Sequence, residues 1–350
     1  MPSESSKVLL GMTGGVDSST SAWLLKRDGH QVVGVTLLFH DSKTTDDKLA
    51  QAKRVAEKLE IEHHVVDMRE QFASQVVTPY VQDIARGVTF TPCLRCTADL
   101  KIPLLFGQAD AHGCDMVATG HYANVTSDEF GVGLLDWQLR SPLDRSKDQT
   151  YLLYRLTQEQ LSRMLFPLND TTKGVVRRMA MQAGLQRLSP LHDGQGTPCF
   201  FNGKTPLAWL DEDGRLASST GAIVDIMSRQ EIGKHQGLNR YGVGDRVEGD
   251  RYVISKDPET NELLVGPLNL ATTELVVLED VHWTSIEPPQ RRRSCKARIA
   301  YDATPVPAHI LCTDTGVVVT FTKPVRGIYP GLPVVLYSDD LVLGGGIVAR

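Results

Sequence analysis

The chain has 350 residues, of which 41% are hydrophobic and 23% are charged, and its formal net charge at pH 7 is −5. This composition is ordinary for a folded protein of two or three domains, and the mild acidity argues against a general nucleic-acid coat protein. The sequence contains no run of 18 apolar residues and begins without an apolar signal core. We therefore expect no membrane span and a cytoplasmic location.

From residue 7 to about residue 119 the pattern alternates between buried strands and helices. Apolar runs predict strands over residues 7–12, 31–39, 62–68 and 115–119. The segments between and after them predict helices over residues 18–28, 45–59, 70–86 and 98–112. This alternation predicts an α/β fold with a parallel sheet and right-handed crossovers, in which the ligand lies at the carboxyl ends of the strands.

The rest of the chain changes character twice. Residues 151–184 look helical and basic, whereas residues 205–267 form short segments with many glycines. From residue 270 onward, alternating Val-rich runs broken by Pro and Gly predict a small antiparallel β-barrel. We therefore expect three domains, over residues 1–203, 204–268 and 269–350.

The first predicted strand leads into a glycine-rich loop. Gly14 and Gly15 allow a sharp turn that points successive N–H groups into one concavity, and Asp17 and Ser18 open the next helix. The loop lacks the Gly-Lys-Ser/Thr ending of a Walker loop, and it lacks the Gly-x-Gly-x-x-Gly dinucleotide fingerprint. It therefore predicts a phosphate site of another nucleotide-binding class.

Three of the six cysteines lie in segments that contain proline, which predicts loops. Cys93 and Cys96 form a Cys-x-x-Cys pair, and Cys199 follows 103 residues after Cys96. Zinc usually requires four ligands, and the sequence has no second Cys-x-x-Cys or Cys-x-x-His. Two interpretations stay open. The three thiols could hold an iron–sulfur cluster with one open position, or Cys96 and Cys199 could exchange a sulfane sulfur.

Five motifs carry a resemblance: GMTGGVDSS at 11–19, TPCLRC at 91–96, ATGHYA at 118–123, KDQTYLLY at 147–154 and PCFF at 198–201. The first resembles the SGGxDS loop of the PP-loop ATP pyrophosphatases, with Thr13 in place of the first serine. Together with KPVRGIYPG at 323–331, the set is similar to the tRNA-specific 2-thiouridylases (the MnmA family). The implied fold is a PP-loop, adenine nucleotide α-hydrolase-like domain, then a small central domain and a C-terminal antiparallel barrel.

The resemblance implies ATP-dependent 2-thiolation of the wobble uridine of tRNA of the Glu, Lys or Gln type. Adenylation of the base 2-oxygen would precede sulfur transfer from a cysteine persulfide, with Cys96 and Cys199 as the catalytic thiols. The implied ATP-binding residues are Gly11, Met12, Thr13, Gly14, Gly15, Val16, Asp17, Ser18, Leu37 and Gly120. The implied tRNA-binding residues are Thr91, Pro92, Cys93, His121, Lys147, Asp148, Gln149 and Arg298.

The implied cofactors are ATP with Mg²⁺ and, in the iron–sulfur version, a 4Fe-4S cluster on Cys93, Cys96 and Cys199. The implied partners are tRNA and a cysteine desulfurase or sulfur-relay protein, without a membrane. The base-contact segment departs from the family pattern, because ThrPheThrPro stands at 89–92 where TPN is usual. Two alternatives stay open: a PP-loop synthetase or ligase acting on a small molecule, and a non-catalytic tRNA-binding relative.

Overall fold

The computed structural model describes residues 5–85, 91–127, 133–185, 198–212 and 219–349. The first region contains the strands β1 (Lys7–Gly11), β2 (Gln31–Leu38), β3 (Glu62–Asp67), β4 (Met116–Ala118), β5 (Asn124–Ser127), β6 (Trp137–Arg140) and β7 (Met164–Leu165). Five of them form a parallel sheet in the order β3-β2-β1-β4-β7. The predicted parallel α/β sheet is confirmed, and its four predicted strands differ from the observed ones by one residue or less at each end.

The helices of the described residues are α1 (Val16–Arg27), α2 (Lys43–Leu59), α3 (Arg69–Phe72), α4 (Thr78–Ala85), α5 (Pro92–Arg95), α6 (Ile102–Ala111), α7 (Gln158–Arg163), α8 (Lys173–Gln182) and α9 (Pro206–Asp211). Single π-helical turns, Ala73–Val77 and Cys96–Lys101, join α3 to α4 and α5 to α6. Such turns often mark functional sites. None of these helices has the length and apolar run needed to cross a membrane.

The prediction of a helical run over residues 151–184 is wrong for much of that segment. Only α7 and α8 are helical there, preceded by a 3₁₀ turn at Thr150–Leu152. The Asp148 carboxylate accepts hydrogen bonds from the backbone N–H and the hydroxyl of Thr150. The side chains that follow, from Tyr151 to Tyr154, are all buried. A segment buried on all sides has no amphipathic period from which its conformation can be predicted.

Two further sheets follow the first region. The central one contains β8 (Gly221–Asp225), β9 (Glu231–His235), β10 (Tyr252–Asp257) and β11 (Glu262–Gly266), in the order β10-β11-β8-β9. The C-terminal one contains β12 (Thr272–Trp283), β13 (Arg293–Arg298), β14 (Val306–Thr313), β15 (Gly316–Arg326), β16 (Pro333–Ser338) and β17 (Leu341–Val348). Pairing of β12 with both β15 and β17 closes these six strands into an antiparallel barrel, which confirms the predicted small antiparallel β-barrel.

The barrel is continuous with the first region. The hairpin of β5 and β6 extends the barrel sheet, because Leu341 of β17 pairs with Arg140 of β6. One core cluster contains Leu9 and Val117 of the parallel sheet together with Val335 and Tyr337 of the barrel. The barrel therefore packs directly against the domain whose strand ends carry the predicted site.

Candidate active site at the strand ends

The glycine-rich loop lies between β1 and α1, as predicted. The Ser18 hydroxyl accepts a hydrogen bond from the Thr13 backbone N–H at 3.1 Å and lies 3.1 Å from the Thr13 hydroxyl, which folds the loop on itself. Gly14 has φ +72°, and a Cβ there would lie 2.0 Å from the carbonyl oxygen of Lys48. Gly15 caps α1 without a side chain. The first-turn N–H groups of α1 therefore suit an anion.

Lys173 brings an ammonium to this loop from the start of α8. Its Nζ donates to the two carboxylate oxygens of Asp17, at 2.8 and 2.6 Å, and the Tyr122 hydroxyl donates to the same carboxylate at 3.0 Å. Lys173 is only 9% exposed. A cation at a helix N-terminus opposes the helix dipole, so the Asp17 carboxylate and not α8 stabilises this buried ammonium. Sequence reasoning missed this residue because it lies in a basic segment that is typical of a solvated surface.

Gly120 brings a second strand end against the loop. It follows β4, and a Cβ at Gly120 would lie 2.9 Å from the backbone nitrogen of Ser18. Only glycine permits this approach without a shift of the backbone. Leu37, near the end of β2, is half-buried and packs against the sheet core. The structure thus brings the predicted loop, Gly120 and Leu37 to one edge of the sheet.

The prediction that Cys93 and Cys96 lie in a loop is wrong, since Cys93 is in α5 and Cys96 opens the π-helical turn that follows. Pro92 occupies the first position of α5, where a proline fits because its missing N–H has no partner to lose. Cys199 opens a 3₁₀ turn, Cys199–Phe201. Cys96 is buried, Cys93 is half-buried and Cys199 is exposed.

The three thiols form one electrostatic cluster with Lys101. Desolvation of the sulfur atoms raises the pKa of Cys93, that of Cys96 to about 11 and that of Cys199 to about 12, although the Cys199 residue as a whole is exposed. The neighbouring Cys93 and Cys96 raise the pKa of Cys199 further, whereas the Lys101 ammonium lowers the pKa of all three thiols. We call Cys93, Cys96, Cys199 and Lys101 the thiol cluster. All three thiols are protonated near pH 7 in this state.

The high pKa of Cys199 predicts the pH profile of its alkylation by iodoacetamide, because the thiolate is the reactive form. The rate should rise about tenfold per pH unit from pH 7 to pH 10, since the pKa lies well above this range. Lys101→Met should lower the rate at every pH by removing the cation that favours the thiolate. Peptide mass spectrometry of Cys199 measures both rates. A plateau near pH 9, as in a free cysteine peptide, would contradict the prediction.

His121 lies beside the thiol cluster and is neutral. Burial and, to a smaller extent, the Lys101 ammonium lower its pKa to about 3. The Nδ1 atom lies 2.8 Å from the hydroxyl of Thr119. Because His121 follows Gly120 directly, it lies close to the glycine-rich loop as well as to Lys101 of the thiol cluster. A neutral imidazole there can donate or accept a hydrogen bond to a polar ligand.

The segment Lys147–Gln149 lies at the same edge of the parallel sheet as the glycine-rich loop. The Asp148 carboxylate accepts hydrogen bonds from Thr150 at the start of the 3₁₀ turn. The Gln149 side-chain oxygen accepts a hydrogen bond from the Tyr122 backbone N–H at 2.9 Å, and the Gln149 N–H donates to the Tyr122 carbonyl at 3.0 Å. Since the Tyr122 hydroxyl bonds Asp17, these contacts link the Gln149 segment to the glycine-rich loop.

Arg298 approaches the same region from the barrel, at the end of β13. Its guanidinium lies over the rings of Tyr151 and Tyr301, at 5.6 and 5.7 Å from their centroids. Its Nη2 donates to the Tyr301 carbonyl oxygen, and its buried Nε has no hydrogen-bond partner. The structure therefore places Arg298 between the barrel and the Tyr151 segment.

A parallel α/β domain with an anion-binding loop and a thiol cluster at the same sheet edge, joined to a β-barrel, defines a class of nucleotide-binding proteins with thiol chemistry. Comparison of the chain with models of known protein families defines this class more narrowly. Residues 6–203 match the tRNA methyl transferase HUP domain, residues 213–267 the tRNA methyl transferase PRC-barrel domain, and residues 273–348 the aminomethyltransferase β-barrel domain.

Relatives that align over nearly the full length of the chain agree with the matches to the family models. The chain is 36% identical to the tRNA-specific 2-thiouridylase MnmA of Roseiflexus sp. (strain RS-1), over 98% of this chain and 99% of the relative. It is 34% identical to that of Syntrophotalea carbinolica over the full length of both. The U34-tRNA thiolase NcsA of Methanococcus maripaludis, solved with its [4Fe-4S] cluster, aligns with TM-score 0.37 and 17% identity over 52% of this chain and 59% of that one. The chain belongs to the MnmA family of tRNA-specific 2-thiouridylases.

Proposed function

We propose that the protein catalyses ATP-dependent 2-thiolation of the wobble uridine of tRNA of the Glu, Lys or Gln type. The observation that carries this proposal is the convergence of a phosphate-binding loop and three clustered thiols at one edge of the parallel sheet. A ligase acting on a small molecule would use the loop but would leave Cys96 and Cys199 without a role. A reaction that activates a base and then delivers sulfur to it uses both halves of the site.

In the first step, the loop holds the ATP phosphates. The residues from Gly11 to Ser18 surround the phosphates, and Leu37 and Gly120 lie near the adenosine. The Lys173 ammonium, already beside Asp17, neutralises charge on the nucleotide, with which Mg²⁺ would enter. The uridine 2-oxygen attacks the α-phosphorus, pyrophosphate leaves, and the base becomes adenylated at oxygen. Fixed positive charge at the phosphates favours this step because negative charge develops there.

The base reaches the site by leaving the anticodon stack, as base-modifying enzymes generally require. The residues proposed to contact the tRNA or the base are Thr91, Pro92, Cys93, His121, Lys147, Asp148, Gln149 and Arg298. Neutral His121 and the Gln149 amide supply hydrogen bonds that suit an uncharged pyrimidine edge. Contacts to the tRNA backbone by basic residues make the affinity fall steeply with salt.

In the second step, Cys199 carries a persulfide received from a cysteine desulfurase or sulfur-relay protein. Its exposure suits it to meet a protein donor, whereas Cys96 is buried. The terminal sulfur attacks C2 of the adenylated base and AMP leaves with the oxygen. The Cys96 thiolate then attacks Cys199 Sγ, which breaks the sulfur–sulfur bond and leaves the outer sulfur on the base. A Cys96–Cys199 disulfide remains, and two electrons from a thiol reductant restore the enzyme.

Three cysteine thiolates are also the donor set that the iron–sulfur alternative requires. In that alternative Cys93, Cys96 and Cys199 would hold the cluster, which would supply an open iron for hydrosulfide. We propose the persulfide route because Cys199 is exposed and Cys96 lies near it.

Nucleoside mass spectrometry tests the proposed function. Unmodified tRNA for Glu, Lys or Gln is incubated with the protein, ATP, Mg²⁺, a reductant and a persulfide donor. We expect 2-thiouridine at the wobble position and one AMP and one pyrophosphate per thiouridine formed. Pyrophosphate release without a thiolated nucleoside would instead indicate a ligase. Binding of tRNA with neither product would indicate a non-catalytic relative.

A further inference from the structure

A group of three side chains that can bind a metal ion lies outside all the motifs described above. Glu62 and His64 belong to β3, the outermost strand of the parallel sheet, and His112 directly follows α6. Glu62 is exposed, whereas the two histidines are half-buried. Glu62 opens β3 and His112 precedes β4, so the group lies at the amino ends of parallel strands. The glycine-rich loop and the proposed active site lie at the opposite ends of these strands.

The alternation of side chains along β3 brings Glu62 and His64 to the same face of the sheet. His64 Nε2 lies 2.7 Å from a carboxylate oxygen of Glu62. His63, between them, points to the opposite face, where its Nε2 lies 2.8 Å from the Thr36 hydroxyl. An exposed pair such as Glu62 and His64 contributes little to stability, and both of its polar atoms are accessible to a metal ion.

His112 brings a second imidazole to this pair. Its ring lies beside that of His64, with the centroids 4.2 Å apart and 33° between the ring planes. The Lys7 ammonium donates to the His112 carbonyl oxygen at 2.6 Å, which fixes the backbone after α6 against the start of β1. One ligand atom from each of Glu62, His64 and His112 lies within 4.8 Å of the other two. Because the tetrahedral ligands of zinc lie about 3.4 Å from one another, small side-chain rotations bring these atoms to coordination distance.

We propose that Glu62, His64 and His112 form a zinc-binding site whose fourth position is open to water. Two imidazoles and a carboxylate are a donor set that zinc uses in proteins, whereas Mg²⁺ prefers oxygen ligands. Zinc replaces the proton between His64 and Glu62, which is released to solvent. The bound ion joins the edge strand β3 to the end of α6 and so stabilises the first domain. The site does not depend on the proposed thiolation reaction.

Equilibrium dialysis against zinc tests the proposal, on protein without an affinity tag. Thiols also bind zinc, so the parent protein for this test carries three substitutions, Cys93→Ser, Cys96→Ser and Cys199→Ser. We expect it to bind one zinc ion per chain, and an excess of Mg²⁺ should not displace this ion. Glu62→Gln and His112→Asn should each raise the Kd for zinc at least tenfold, because each removes a ligand. His63→Asn, on the opposite face of β3, is the matched control and should leave the Kd unchanged.

Thermal unfolding gives a second measurement of the same site. Zinc should raise the melting temperature of the parent and of its His63→Asn variant, but not that of the Glu62→Gln variant. In the chain that keeps its thiols, Glu62→Gln should retain less zinc than wild type and should form 2-thiouridine at the wild-type rate. A folded parent that retains no zinc, or an equal Kd in the parent and in both ligand variants, would overturn the zinc site and leave the proposed function standing.

Discussion

Lys173→Met should lower tRNA-dependent pyrophosphate release about 10²- to 10³-fold, the usual cost of removing one preorganised charged group from a site where charge develops. Methionine keeps the unbranched stem that packs at this buried position, so the variant removes the charge and little volume. The measurement is single-turnover pyrophosphate release with saturating ATP and tRNA. Arg178→Met is the matched control, because Arg178 is exposed on the same helix. It should retain the wild-type rate.

A second variant shows whether Lys173 acts on the phosphates or only on Asp17. The ammonium and the carboxylate are paired at 2.6 Å, so loss of the cation alone leaves Asp17 as a repulsive charge beside the nucleotide. If that repulsion were the whole effect, Asp17→Asn with Lys173→Met would recover the rate. We expect no recovery, because the ammonium itself is proposed to move to the phosphates when ATP binds. Recovery to within about threefold of wild type would refute this role.

The sequence predicts well what lies close together along the chain. The unit β1, the glycine-rich loop and α1 occupies residues 7–27 without interruption, so its residues alone indicate a phosphate site. The parallel sheet could also be predicted from local sequence, since each strand is a short apolar run with a helix after it. Barrel strands such as β15 were also evident, because inward and outward residues alternate along its first half.

Contacts between distant segments could not be predicted in this way. Lys173 and Asp17 are 156 residues apart, and nothing in a basic segment indicates which of its cations is buried. Arg298 reaches the Tyr151 ring only because the barrel packs on the first domain, which no local pattern encodes. The helical conformation of Cys93 and Cys96 was missed because proline is common both in loops and at the first turn of a helix.

Cys199→Ser should abolish 2-thiouridine formation, at least 10³-fold, while adenylation continues. A serine cannot carry the sulfane sulfur, yet the phosphate-binding loop and its Lys173 contact are untouched. Pyrophosphate release with tRNA should therefore stay near the wild-type rate for one turnover. Cys312→Ser, in β14 of the barrel, is the control and should thiolate normally. Persulfide found on Cys96 or Cys93 of the Cys199 variant would move the acceptor role to that thiol.

Cys96→Ser should be equally inactive in multiple turnover, and the species that it accumulates distinguishes the routes of sulfur transfer. If the persulfide attacks C2 directly, the base stays attached to Cys199 through two sulfurs, because no thiol is left to break the sulfur–sulfur bond. A covalent protein–tRNA adduct, released by dithiothreitol as 2-thiouridine, is the expected result. A persulfide that persists on Cys199 without an adduct would indicate that Cys96 first frees hydrosulfide. A brown anaerobic preparation whose visible absorbance is lost in Cys93→Ser would instead favour the iron–sulfur route over both.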